Sequence, residues 1–209
     1  MNAIRVSAAS TLLILGTTAA LRADVTAQEV WADWQSYLAG VGYTVTGEES
    51  TRLGQVTVTN LVMETSTAAD NESSPFSVTM PRIVFTENGD GTVNVQIPER
   101  STMAIEASDG AEEFDAEFTL GQSGMTMTVS GDADDMTYTY AADQMDFALS
   151  SLAINEEPIS RENARGTVTV NSLSGVTRMQ ELDLRNYTQT FSAAGVAMDL
   201  FFVDQDNAD

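Results

Sequence analysis

Apolar side chains recur at two different periods along this chain, and the change of period divides it. Over residues 26–42, Val30, Trp34, Tyr37, Leu38 and Val41 return at helical spacing with Trp31 beside them. Thr26 followed by Glu29 has the spacing of a capping box, and Gly40 and Gly42 supply a stop, so one amphipathic helix is expected here. After Tyr43 the period becomes two. Val56/Val58, Val78/Met80, Val93/Val95/Ile97, Met103/Ile105, Phe118/Leu120 and Met125/Met127/Val129 each alternate with polar residues, as half-buried strands do. Met136/Tyr138/Tyr140, Met145/Phe147/Leu149, Val168/Val170, Leu182/Leu184 and Val196/Met198/Leu200/Phe202 continue the series. About ten or eleven strands result, joined by turns at Asn88-Gly89-Asp90-Gly91, Asp109-Gly110, Ser123-Gly124 and Gly131-Asp132. Thr65–Pro75 and Asn155–Arg165 read as loops. Connections this short pair consecutive strands antiparallel, so the expected fold is mainly β: a long antiparallel meander forming a curved sheet, open barrel or sandwich, with one N-terminal helix.

Alternation places one apolar and one polar face on such a sheet. A helix of about fifteen residues is only ~22 Å long, which does not cover ten strands set ~4.8 Å apart. The remaining apolar area must close on itself, meet another protein, or cradle an apolar ligand. Met is frequent on that face (Met80, Met103, Met125, Met127, Met136, Met145, Met179, Met198), and its unbranched, polarisable side chain adapts to varied apolar shapes. Trp31, Trp34, Met125, Met127, Tyr138 and Tyr140 are therefore the candidate ligand-binding residues.

Composition removes most catalytic chemistry. The chain has no His and no Cys, and its nine cations are all Arg. Imidazole bases, thiolate nucleophiles, Schiff-base amines, Cys/His zinc sites and the P-loop lysine are absent. Gly-x-Ser-x-Gly is absent too, and no spacing of carboxylates singles out an acid and a nucleophile. A carboxylate-based hydrolase is the third-ranked reading. The 31 acids give a net charge of −22, which argues against nucleic acid and anionic membrane surfaces as partners.

Residues 1–23 have the form of a secretory signal peptide, with Arg5 ahead of an apolar stretch from Ala8 to Ala20 and small residues at Ala20 and Ala23. The stretch is shorter than the about twenty residues a membrane-spanning helix needs. Cleavage after Ala23 or Ala20 implies a periplasmic product that is no lipoprotein, since it lacks Cys. Losing Arg5 and Arg22 leaves seven Arg against the 31 acids, moving the net charge from −22 to −24. Without disulfides, burial alone must hold the fold.

Two turns bunch oxygen ligands of the kind Ca²⁺ accepts: Glu87 with Asp90, and Asp132 with Asp134. Neither has the twelve-residue spacing of an EF-hand, and Asn-Gly and Asp-Gly are also ordinary hairpin turns.

Ala23-Asp24-Val25-Thr26-Ala27-Gln28-Glu29-Val30-Trp31-Ala32-Asp33-Trp34 and Gly42-Tyr43-Thr44-Val45-Thr46-Gly47-Glu48-Glu49 resemble an exported family of alphaproteobacteria, domain of unknown function 2125 (DUF2125). Val84–Val93, with its Glu87-Asn88-Gly89-Asp90-Gly91 turn, and Met127–Tyr138 are similar to it as well. The resemblance implies export and a β-rich fold but no activity and no catalytic residues. Members are commonly longer, so it implies that the single β-rich domain over residues 24–209 is the N-terminal part of a longer architecture. The expectation is a non-enzymatic periplasmic protein that binds a hydrophobic or lipid ligand, or alternatively an envelope assembly component that meets another protein.

Overall fold

The computed structural model of the chain describes residues 24–65, 76–108, 112–181 and 185–203. The leader expected over residues 1–23, nearly all of the Thr65–Pro75 loop, the Asp109-Gly110 turn and the Leu182/Leu184 strand lie outside the described residues.

Helix α1 spans Ala27–Gly40. Its capping box is formed in both directions: the Glu29 amide donates to Thr26 Oγ1 at 3.2 Å, and the Thr26 amide donates to Glu29 Oε2 at 2.8 Å. Twelve strand segments follow: β1 (Tyr43–Arg52), β2 (Gln55–Thr65), β3 (Phe76–Glu87), β4 (Val93–Gln96), β5 (Arg100–Ser108), β6 (Glu113–Ser123), β7 (Thr126–Asp132), β8 (Asp135–Ile154), β9 (Glu157–Pro158), β10 (Ala164–Glu181), β11 (Arg185–Ser192) and β12 (Gly195–Phe202). Every pairing is antiparallel.

Several segments are pieces of one ribbon. β6 and β7 both lie along β8 on one line, Ser123 facing Gln144 and Thr126 facing Ala141. β11 and β12 lie along β10 in the same way, Ser192 facing Ser174 and Gly195 facing Asn171. β4 and β5 both lie along β3 and are separated by Ile97, Pro98 and Glu99, where proline removes a ladder donor. The sheet is thus an up-and-down meander in which each ribbon neighbours the next in sequence. Asn155–Arg165, expected to be a loop, contains the short hairpin strand β9 and the start of β10.

The main core lies between α1 and one end of the sheet. Val30, Trp31, Val56, Val58, Leu61, Ile83, Phe85, Val93 and Val129 are fully buried there. Phe85 sits beneath both tryptophans, its ring 5.7 Å from Trp31 and 5.4 Å edge-on from Trp34. The same helix reaches both ends of the meander: Gln35 donates to Glu49 on β1 at 3.1 Å, and Tyr37 stacks on Tyr187 of β11 at 6.1 Å. Laid flat, ribbons so far apart at ~4.8 Å spacing would be well beyond the ~10 Å width of a helix, so the sheet must curl around α1. Among the described residues β1 and β11 do not pair, so the sheet remains a trough.

On β8 the apolar residues occupy even positions at Met136, Tyr138 and Tyr140, then odd positions at Met145, Phe147 and Leu149. On β10, Met179 and Thr177 pair with Met136 and Tyr138, while Val168 and Val170 pair with Phe147 and Met145. The alternation is interrupted between the two sets: Ser172 on β10 has a positive φ of 51° and, with Asp143 opposite, drops out of the ladder. β2 and β3 change parity in the same way around Asn60 (φ 52°), and Val58, Leu61, Met80 and Ile83 on either side of that break all pack in the main core. β8, with 20 residues, runs ~65 Å, whereas the 14 residues of α1 cover ~21 Å. Beyond the reach of the helix a second cluster forms, Ala116, Leu152 and Ala164 with Phe118, Leu149 and Ile159 against it.

Candidate functional site

Between α1 and the sheet a cleft of 240 Å³ stays open. Trp34, Tyr37 and Leu38 form its helix wall, Met63, Met127, Tyr138 and Met179 its floor, and Tyr140 and Tyr187 its rim. Nothing charged lines it. The helix wall follows from helical spacing, since residues three and four apart share a face. The floor follows from register, which aligns Val129 and Met127 of β7 with Tyr138 and Tyr140 of β8, and these with Thr177 and Gly175 of β10. Gly175 is required where it is: a Cβ there would stand 2.5 Å from Tyr140 Oη, so only glycine lets the Tyr140 ring lie against β10. Gln189 on β11 then donates to that hydroxyl at 2.8 Å.

Four of the six residues expected to bind ligand, Trp34, Met127, Tyr138 and Tyr140, converge on this cleft. Trp31 stands behind it in the core, 1% exposed, with its indole N–H unpartnered among the described residues. Met125 is placed elsewhere, in the β6–β7 connection, where its amide donates to Gln122 Oε1 at 3.2 Å. Alternation alone cannot separate Met125 from Met127, because only the lateral register decides which of them meets the helix. Tyr37, Leu38, Met63, Thr177, Met179 and Tyr187 complete the cleft and were not among the ligand-binding residues expected from sequence. Tyr37 carried a signal, its helical spacing to Trp34; Tyr187 had none, because its role depends on the sheet curling back to α1.

Polar groups anchor one wall. The Tyr138 hydroxyl donates to Asp33 Oδ2 at 2.6 Å, and Arg185 pairs with the other oxygen of that carboxylate. Burial raises the Tyr138 phenol well above its ordinary value of 10.0, and burial lowers the Arg185 guanidinium from 12.5.

Three of the four acids suggested as calcium ligands have carboxylates held in local structure; the fourth, Asp134, takes part there through its amide. Glu87 Oε1 accepts the Ala27 amide at 3.1 Å, at the N-terminus of α1. Asp90 Oδ1 accepts the Thr92 amide and hydroxyl at 3.1 and 2.7 Å. Asp132 Oδ1 accepts the amides of Asp134 and Asp135, each at 3.0 Å, forming the β7–β8 turn. Among the described residues no three acids gather as one metal-binding group. No described helix is long and apolar enough to cross a membrane.

The chain matches no protein-family model, no curated protein and no solved structure.

Proposed function

We propose that the protein is an exported, non-enzymatic periplasmic member of the DUF2125-like family that holds a hydrophobic ligand in the cleft between α1 and the sheet. The observation that carries this reading is the 240 Å³ cleft itself, walled by aromatic and Met side chains with Thr177 as its one non-aromatic polar position. Ligand sites are concave, mostly apolar and few, with a small number of polar groups that fix orientation, here the Tyr37, Tyr138, Tyr140 and Tyr187 hydroxyls. Its volume is below the ~300–1,000 Å³ of drug-sized sites, suited to the end of one acyl chain or a small ring. The leader-like N-terminus supports export, and the lack of His, Cys and Lys supports binding rather than catalysis.

The test is native mass spectrometry with solvent extraction of the purified protein, together with uptake of a fluorescent fatty-acid analogue. A bound apolar species, or saturable uptake blocked by Met127→Trp, supports the reading. A protein that carries nothing and takes up no analogue overturns it.

A second reading, an envelope assembly component, is favoured by a different observation. Val196, Met198, Leu200 and Phe202 on β12 alternate along one face and are 63–66% exposed. Such an apolar row on an edge strand suits a protein partner. Photo-crosslinking in cells from position 198 would yield a discrete adduct under this reading and none under the first.

A further inference from the structure

A larger cavity of 470 Å³ lies against β6, β8 and β10, sharing no residue with the apolar cleft. Three of the seven Arg among the described residues line it: Arg100 on β5, Arg161 before β10, and Arg165 on β10. In a chain with 31 acids, three Arg along one cavity are against the odds of composition, and all three are exposed at its walls. None of the three is ion-paired; among the described residues the ion pairs are Arg178 with Asp135 and Arg185 with Asp33. Two of them are nevertheless held in place. Arg161 Nη2 donates to the Ser150 carbonyl at 3.2 Å, and the Arg165 guanidinium lies 4.2 Å over the Phe201 ring. Asp146 and Asp199 also line the cavity. Asp146 is engaged already: its oxygens accept from Gln144 Nε2 at 2.8 and 2.7 Å and from Thr169 Oγ1 at 2.8 Å.

We propose that this cavity binds a small solute carrying one carboxylate or phosphate group. Guanidinium forks match both oxyanions with paired, charge-assisted hydrogen bonds, and three positive against two negative side chains leave the cavity cationic within a strongly acidic surface. That surface repels a polyanion and admits a solute of one or two charges. The Thr119 and Ser150 hydroxyls, 2.7 Å apart, bond to each other, which leaves one O–H to donate and oxygen lone pairs to accept, and this favours a hydroxyl-bearing solute. The site stands independently of the apolar cleft and of any ligand there.

The experiment is calorimetric titration and thermal melting of the whole protein with inorganic phosphate and with acetate, against sodium chloride at equal ionic strength. The chloride reference matters because any salt screens the self-repulsion of so acidic a chain. Saturable binding beyond chloride is expected, weakened at least tenfold in Arg165→Gln and in Arg100→Gln, less in Arg165→Lys, and unchanged in Arg82→Gln, which alters net charge equally but lies on β3. Cosedimentation with phosphatidylglycerol vesicles, lost in Arg165→Gln, would assign the phosphate to a lipid headgroup; binding of free phosphate without cosedimentation would assign it to a solute. A response that chloride reproduces, or one that Arg82→Gln weakens as much as Arg165→Gln does, overturns the proposal. Circular dichroism of each variant separates loss of binding from loss of fold.

Discussion

Asp33 of α1 joins three parts of the fold through one carboxylate: Tyr138 of β8 donates to Oδ2 at 2.6 Å while Arg185 of β11 pairs with Oδ1. The Asp33 side chain is 11% exposed and that of Arg185 27%, so neither group is freely hydrated. Asp33→Ala leaves a phenol and a guanidinium without their acceptor, a loss of about 1–3 kcal/mol for a partly buried group. For a chain of this size the melting temperature should fall by about 2–10 °C, and by less in Asp33→Asn, which keeps an acceptor for Tyr138. Differential scanning calorimetry checks both. Equal melting of wild type and Asp33→Ala would mean that this junction contributes nothing.

Alkaline titration follows from the same junction. Burial raises the Tyr138 phenol above its unfolded value of 10.0, so the folded state holds that proton more tightly than the unfolded state does. Its contribution is fully present below pH 10 and is lost as pH rises through the folded value. Absorbance near 295 nm (phenolate) should therefore show no Tyr138 signal before alkaline unfolding. Tyr138→Phe should give the same pre-transition curve as wild type and lose less stability as the pH is raised above 10. A wild-type minus Tyr138→Phe difference that titrates reversibly in the folded state would contradict the burial argument.

The two tryptophans should report differently on the cleft. Trp34 lines it, whereas Trp31 is buried behind Phe85 with its N–H unpartnered. Filling the cleft with a fluorescent fatty-acid analogue should quench Trp34 emission, by direct contact and by energy transfer, and Trp34→Phe should remove most of the change. Trp31→Phe should keep it, and its stability loss is limited because the indole donor satisfied nothing. Emission changes of equal size in both variants would place the analogue outside the cleft.

Acid stability has a local component at the β7–β8 turn. Arg178 donates to the Asp135 carboxylate and, by this hydrogen bond first, holds it below the usual 3.8, with Gln180 adding a 3.1 Å bond. The unfolded chain thus takes up this proton at a higher pH than the folded one. The contribution is present above about pH 4 and is lost as pH falls through the folded value. Asp135→Asn should melt lower than wild type at pH 6, with the gap narrowing toward pH 3. A gap that is constant across this range would show that the pair's charge does not matter.

The meander was legible from period and turn chemistry because both are local. Thr26 and Glu29 announced the helix start, and Val56/Val58 or Val93/Val95 could have no other period. What was not legible was the length of β8. Met136–Tyr140 and Met145–Leu149 each alternate correctly, and read singly they resemble two strands; the parity change between them, opposite Ser172 with its positive φ, hides their union in one 20-residue strand. The cleft was half legible for the same reason. Trp34 and Tyr138 stand in patterned segments, while Tyr187 enters through curvature, which no local pattern encodes.

Burial sets Phe85 on β3 apart from Met198 and Leu200 on β12. Phe85 is 0% exposed under both tryptophans, so Phe85→Ala should cost about 3–5 kcal/mol and unfold much of the population at moderate temperature. Met198 and Leu200 are 63% and 66% exposed, so Met198→Thr with Leu200→Thr removes little burial and should change stability by no more than ~1 kcal/mol. β-branched Thr also suits a strand. The double variant should instead lower the binding of an apolar dye to the ligand-free protein and reduce self-association in sedimentation velocity, since it breaks the apolar row on the edge strand. If it melts as early as Phe85→Ala, the β12 row is part of the core rather than an exposed surface.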